Sequence, residues 1–340
     1  MRLFDPSVKL EVIAANKKYT IPGGSDGLHF DFSVEAFAGG LAGSKPNTAL
    51  ITVYGLSEAT RNMFSEEHQA ISFFAGYGSE TGLIFAGQTT NVVHDKEPTQ
   101  WRTDIYAGDG VKQFQTLFFI RSFSAGTRIT QILTDLLDAT TLPYTVNADV
   151  SSNSETLLAG ENYAAKISTC LDVLCQDRGW EWSVQHGVIE VTRKHRPLHP
   201  RTQVTAKPTP AVVLSADTGL VGSPVLVDRT DDEPVDEEAE SEKRKKRTPE
   251  QLANEEANRA PAVRRFAVRL TSLMNFEIRP KRLIDLRAQR ATSALGALME
   301  SKTDVLRLDI SGIYIAKNVR YYGNNYGGEF YTEVEADLYD

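Results

Sequence analysis

Cysteine is nearly absent: Cys170 and Cys175 are the two in 340 residues, too few for a disulfide framework, and their spacing is not the CxxC of a redox or zinc motif. No apolar stretch approaches the ~20 residues that a membrane-spanning helix needs. The opening segment, MRLFDPSVKLEVIA, has an acid and a Pro where a signal peptide requires a continuous apolar core. These absences predict no membrane anchor and folding in the cytoplasm. Positive charge is also short, with 37 Lys and Arg against 45 Asp and Glu and a net charge of -8. That balance argues against a surface built to hold nucleic-acid phosphates, which owes its affinity to Lys and Arg. It is compatible with an acidic wall past which DNA slides without sticking.

Histidine is sparse as well, and the six present form no recognisable site. His195 and His199 have the i, i+4 spacing of two ligands on one helix face, but Pro197 and Pro200 disfavour that helix. The chain contains no HExxH zinc pattern and no GxSxG nucleophile elbow. Gly76, Gly78 and Gly82 form a Gly-rich turn between two strand-like runs, which reads as a hairpin turn because a phosphate loop leads from a strand into a helix. The sequence therefore predicts no catalytic residue, no cofactor and no metal.

What is present is β patterning, and one pattern occurs twice. GLIFAGQTTNVVHDKEPTQWRTDIYAGD at 82–109 and GIYIAKNVRYYGNNYGGEFYTEVEAD at 312–337 each begin with Gly, apolar residues and Ala, cross a polar turn, and return as aromatic-x-Thr-acid-β-branched-x-Ala. Strand side chains alternate faces, so Trp101, Thr103, Ile105 and Ala107 share one side, with Phe330, Thr332, Val334 and Ala336 their counterparts. Two similar β domains in one polypeptide follow, and duplicated units build a ring from fewer chains.

The length accommodates two or three domains. Residues 1–110 read as strands separated by Gly, Pro, Asn and Asp clusters, with a short helix N-capped by Ser57, together forming a closed or nearly closed barrel. Residues 111–200 change to α+β. Thr127 can cap a helix carrying Ile129, Ile132, Leu133, Leu136 and Leu137 on one stripe. The segment ENYAAKISTCLDVLCQDRG reads as a second helix, with both cysteines on its buried stripe. WEWSV and VIEVTR form a hairpin around Gln185, His186 and Gly187. Residues 201–340 return to β texture after the Pro- and Thr-rich connection HRPLHPRTQVTAKPTPA. They are interrupted by a charged insertion at 228–260, whose acidic DDEPVDEEAESE runs into KRKKR, the composition of a solvated loop.

The order of these segments resembles the central baseplate hub proteins of long-tailed bacteriophages and phage-like contractile injection systems. The residues that carry it are NTALITVYGLSEATRN at 47–62, GYG and GLIFAGQTTNVV within 76–93, WRTDIYAGDG at 101–110, DTGLVGSP at 217–224, LTSLMNFEIRP at 270–280 and the closing hairpin. The charged insertion departs from the pattern. The resemblance implies a mainly β chain with an α+β satellite: two tail-tube-like β-barrel domains related by internal duplication, plus a small helix and hairpin domain. It further implies a non-enzymatic homotrimer whose six barrel units adapt a sixfold tail tube protein to a threefold spike protein. Such a protein would be made in the host cytoplasm and reside in the virion baseplate, with DNA only in transit and other baseplate proteins reached through the insertion. Asp104, Glu333 and Glu335 are the candidate channel-facing residues. Two rival readings are a tail-delivered cell-wall hydrolase and a receptor- or glycan-binding module using Tyr321, Tyr322 and Tyr326.

Overall fold

A computed structural model describes residues 5–14, 17–24, 27–39, 46–65, 68–110, 116–198, 210–230, 264–288, 292–293 and 310–339. The charged insertion lies outside these, apart from the backbone of its first three residues.

In the first part, β1 (Pro6–Ala14), β2 (Lys17–Gly23), β3 (His29–Phe37) and β4 (Thr48–Tyr54) lead into helix α1 (Glu58–Asn62). Ser57 caps that helix, accepting the Thr60 amide on its hydroxyl, and Arg61 then lies over the Trp101 ring at 4.1 Å. β5 (Ala70–Tyr77), β6 (Glu80–Lys96) and β7 (Trp101–Gly108) complete this part. The Gly-rich turn is the β5–β6 hairpin, with Tyr77 facing Glu80.

The satellite contains β8 (Phe118–Phe123), α2 (Ile129–Ala139), β9 (Tyr144–Val146), α3 (Ala148–Ser151), β10 (Glu161–Lys166), α4 (Ile167–Gln176), β11 (Trp180–Gln185) and β12 (Val188–Arg193). Its core is built from the stripes of α2 and α4, including both cysteines, against Trp180, Trp182 and Val191. Two expectations need correction here. Thr127 does not cap α2, whose N-cap is Arg128 with no side-chain bond. The segment read as one helix is a strand and then a helix: ENYAAK pairs with β8, because alternation places Tyr163 inward there, and the helical stripe starts at Ile167. His186 and Gly187, at φ 55° and 79°, make the two-residue turn joining β11 to β12, a left-handed conformation suited to a twisted hairpin.

The last part supplies β13 (Val212–Leu214), β14 (Leu220–Thr230), β15 (Arg264–Leu273), β16 (Leu283–Leu286), β17 (Thr292–Ser293), β18 (Gly312–Asn324) and β19 (Phe330–Leu338). Among the described residues, neither this part nor the first closes into a barrel of its own. The strands of both form one open sheet in the order β17-β14-β15-β19-β18-β3-β4-β7-β6-β5-β1-β2, with β16 on β18 and β13 on β16. The closed barrel expected over residues 1–110 is thus corrected: its end strand β3 pairs along Asp31–Phe37 with β18 of the last part instead of laddering onto β1 or β2, while β18 also pairs β16 over Gly312–Ile315. One apolar core is common to both parts, with Phe30, Phe73, Phe85 and Ile105 beside Val268, Val319, Val334 and Ala336. Burial of each large side chain contributes about 2 kcal/mol.

Within that sheet the two parts repeat a strand order. With the end strands β2 and β17 set aside, β3-β4-β7-β6-β5-β1 matches β14-β15-β19-β18-β16-β13 position for position, and in both runs these are the second, third, sixth, fifth, fourth and first of the six remaining strands. All corresponding pairings are antiparallel except the last, where β1–β5 is antiparallel and β13–β16 parallel. The hairpins first noticed in the sequence, β6–β7 and β18–β19, share a bulge as well. Thr89 faces Ala107 and Asn91 faces Tyr106, leaving Thr90 unpaired. Ala316 faces Ala336 and Asn318 faces Glu335, leaving Lys317 unpaired at the same register.

Candidate assembly interface

The sheet buries one face and presents the other to solvent. Cross-strand partners share a face, so the registers trace the outer side: Glu333 faces Arg320, Arg320 faces Glu35, and Asp104 faces Thr52, which faces Asp31. Asp104, Glu333 and Glu335 therefore lie on one side of the sheet, opposite the core, Glu333 and Glu335 half-buried and Asp104 buried at 8% exposure. Each sits close to a guanidinium. Asp104 accepts from Arg102 at 2.7 Å and from the Thr52 hydroxyl at 2.7 Å. Glu335 accepts from Arg269 at 2.5 Å and from Asn318 at 2.9 Å, and Glu333 lies 3.9 Å from Arg269. With Asp31, Glu35 and Asp95 on the same face, carboxylates outnumber the guanidinium groups of Arg102, Arg269 and Arg320 along these strands.

The β18–β3 seam joins the two repeats, and polar groups fix its register. Asn325, nearly buried, accepts the Phe30 amide at 2.7 Å and donates to the Leu28 carbonyl at 2.9 Å. Asp31 accepts from two tyrosines, Tyr54 at 2.7 Å and Tyr326 at 2.6 Å. That carboxylate helps to push the Tyr326 phenol up to about 12, behind the larger effect of burial. Of the three tyrosines considered as a glycan platform, Tyr321 is buried and donates to the Ile278 carbonyl, while Tyr326 is tied to Asp31. Elsewhere the repeats touch where Phe276 packs on Gly82: a Cβ at that glycine would fall within the ring. The Gly that opens the first hairpin motif is required by this close approach.

The satellite docks along the strand ends through buried polar contacts with both repeats. Glu181 of β11 contacts the ammonium groups of Lys281 and Lys317, the latter at 3.3 Å. Burial and the neighbouring Lys317 push Lys281 well below the usual lysine range. Lys317 is the bulge residue of the second hairpin, so the bulge aims it at the satellite. On the first repeat, Asn47 donates to the Val184 carbonyl at 2.7 Å, and Asp109 accepts the Gly187 amide at 3.0 Å. Burial raises the Asp109 carboxyl to about 7 against the lowering effect of those amides. A cleft of about 420 Å3 beside this contact is lined by Gln185, His186, Glu190, Arg279 and Arg282 among others. Burial raises Glu190 there to about 7 and lowers His186 to about 4.

The sequence pattern did not reveal the Glu181–Lys281–Lys317 cluster or Asn325, because residues up to 297 positions apart meet only in the fold. The one legible signal was Glu181 in the otherwise apolar WEW. His195 lies 3.4 Å from Asp337, and His199 lies outside the described residues. No cluster of three or more His, Cys, Asp or Glu side chains able to hold a metal occurs among the described residues.

No protein-family model matches the chain, and no curated protein matches it. Solved structures do match over nearly its whole length. The 43 kDa tail protein of prophage MuSo2 from Shewanella oneidensis superposes with a TM-score of 0.56 at 11% identity, over 97% of each chain. The fold is that of phage tail proteins. An Escherichia coli component of the type VI secretion system, described as similar to the T4 bacteriophage tail proteins gp27 and gp5, shares this tail-protein fold. It matches with a TM-score of 0.52 at 12% identity, over 97% of this chain and 77% of its own. A chain of the Francisella PdpA-VgrG complex matches with a TM-score of 0.57 at 10% identity, over 98% of this chain and 58% of that one. Among the described residues, no helix of this tail-protein fold is long and apolar enough to cross a membrane.

Proposed function

We propose that the protein is the structural hub of a phage tail baseplate, in which three copies close a ring around a central channel and join a sixfold tail tube to a threefold spike. The observation that carries this reading is the repeated strand order, reinforced by the shared hairpin bulge. We read the repeat as an internal duplication into two tube-like units, residues 1–110 and 201–340, with 111–200 as the satellite. Two units per chain and three chains supply six quasi-equivalent positions. The carboxylate-rich outer face, with Asp104, Glu333 and Glu335, lines the channel in this arrangement, where it repels DNA phosphates and lets the genome pass. The work is mechanical, and no bond is made or broken. The virion baseplate is the site of action, with the spike and tube proteins as partners.

Mass photometry of the purified chain, alone and mixed with its candidate spike and tube proteins, tests the proposal. A species of three times the chain mass, ring-shaped in negative stain, is expected. A chain that stays monomeric with both partners present refutes it.

A further inference from the structure

The chain contains one copy of a junction that a ring needs several times. Inside the chain, the outer edge of β18 over Asn318–Asn324 pairs antiparallel with β3, the second strand of the other repeat. The strand equivalent to β18 is β6, and its corresponding stretch begins at Asn91. There β6 pairs with β7 on one side, while its pairing with β5 on the other ends at Gln88. Among the described residues no strand covers the outer side of Asn91–Lys96. Val93 is 37% exposed on this edge, so apolar side chain and unpaired backbone lie open together. The strand equivalent to β3 is β14. It pairs with β15 on one side at Leu220–Val221 and Val225–Thr230, and on the other, among the described residues, it meets only the two residues of β17, at Val225 and Leu226.

We infer that β6 of one copy adds to β14 of a second copy, in the register that β18 and β3 show within the chain. The inference rests on the ring reading above and assigns its subunit contact to particular residues. The register follows by transfer. Val34 faces Ala49, which faces Ala107; Leu226 faces Val268, which faces Ala336, so Val34 corresponds to Leu226 and Glu35 to Val227. On the other strand Asn318 corresponds to Asn91, and Arg320 therefore to Val93. Since Glu35 faces Arg320, Val227 of one copy faces Val93 of the next, with Leu226 opposite His94 and Val225 opposite Asp95.

Two features of the edges fit this occupant. The intramolecular seam pairs a charged residue with a charged residue, Glu35 with Arg320, whereas the transferred seam pairs valine with valine. Val227 and Val93 thus meet each other across the transferred seam, where Asp95 opposite Val225 keeps Arg102 as its ion-pair partner, whereas β14 with β18 or β6 with β3 would set Val227 against Arg320 or Val93 against Glu35. The strand irregularity between Val221 and Val225 also lies at the end of the transferred pairing, where it stops the seam as a bulge does. The incoming strand displaces the two-residue β17 contact and replaces it with a longer ladder.

Cysteine cross-linking of the full chain reads out the register. Directly opposed residues on antiparallel strands have Cα atoms about 4.5 to 5.5 Å apart, within disulfide reach, while a partner two residues along the strand lies beyond it. The variant carrying Val93→Cys and Val227→Cys is expected to give covalent dimers and closed trimers on a non-reducing gel after mild oxidation. The offset variant, Val93→Cys with Val225→Cys, is expected to give at least tenfold less. Cys170 and Cys175 are buried and contribute little background. Oxidation traps short-lived pairs, so the test works on the purified chain. Trimers by mass that cross-link only in the offset pair, or in neither, overturn the strand pairing and leave the hub reading standing. A chain that neither cross-links nor trimerises with its partners overturns both.

Discussion

The buried carboxyl of Asp109 makes satellite docking pH-dependent, and replacing it with asparagine isolates the effect. Asp109 is 2% exposed and accepts the Gly187 amide at 3.0 Å. Its carboxyl is raised from 3.8 to about 7 by burial. The folded state therefore holds a proton that the unfolded chain releases above about pH 4. Between those two values stability falls as pH rises, and above about pH 7 the loss is complete. From pH 5 to pH 8 the linkage amounts to about 2 to 3 kcal/mol, at 1.36 kcal/mol per pKa unit. Asparagine is neutral at every pH and keeps an oxygen for the Gly187 amide, so Asp109→Asn should remove that part of the slope. Hydrogen exchange at β11 and β12 from pH 5 to 8, corrected for intrinsic rates, or urea melts over the same range, would show it. Glu190, raised to about 7 in the adjoining cleft, adds a slope of the same sign. His186, lowered to about 4 in the same cleft, adds a slope of opposite sign below about pH 6.5, so from pH 5 to 8 the single variant should lose less stability than the parent, and the double variant with Glu190→Gln should lose less still or gain. Equal slopes in parent and Asp109→Asn would refute the argument.

Gly82→Val places a side chain inside the Phe276 ring and should cost about 3 kcal/mol, with Phe276→Ala partly restoring stability in the double variant as judged by urea melts. Glu181→Gln leaves Lys281 and Lys317 without their shared counter-charge, so a loss of about 3 kcal/mol is expected in the same melts, less where Lys281 sheds its proton. Cys175, buried and raised to about 12, should not react with a thiol reagent at pH 8 until the satellite unfolds, and fast labelling of folded protein would contradict that environment.

Local patterning made the elements of this protein legible. Alternation in WRTDIYAGD and EFYTEVEAD puts Thr103 with Ile105 and Thr332 with Val334 on one face of each strand, and the structure buries all four. The helical stripe of Ile167, Cys170, Leu171, Leu174 and Cys175 is buried as its spacing requires. Errors arose where two local signals competed. ENYAAK precedes a strong helical stripe and has no β-branched residue, yet pairs with β8 because the satellite supplies a partner edge. Arg128 occupies the N-cap position next to Thr127, because the Ile129 amide bonds to the Glu155 carbonyl of a distant segment. The expected closed barrel failed for a similar reason, since β3, the end strand that would have closed the first unit onto itself, pairs β18 of the other repeat.

The sequence by itself determined that the chain is mainly β with an α+β insert, that it carries the same hairpin twice, and that both cysteines belong to a helix core. Periodicity and side-chain type are local quantities, and they suffice for such statements. Only the tertiary structure decided that the two repeats share one sheet and one core, that Glu181 sits between two lysines, and which strand edges are left uncovered. Those depend on which distant segments meet, and pairing across a seam leaves no periodic trace in either strand. The repeated hairpin itself was visible in the letters; that its outer edge is filled in one copy and, among the described residues, open in the other was settled by folding.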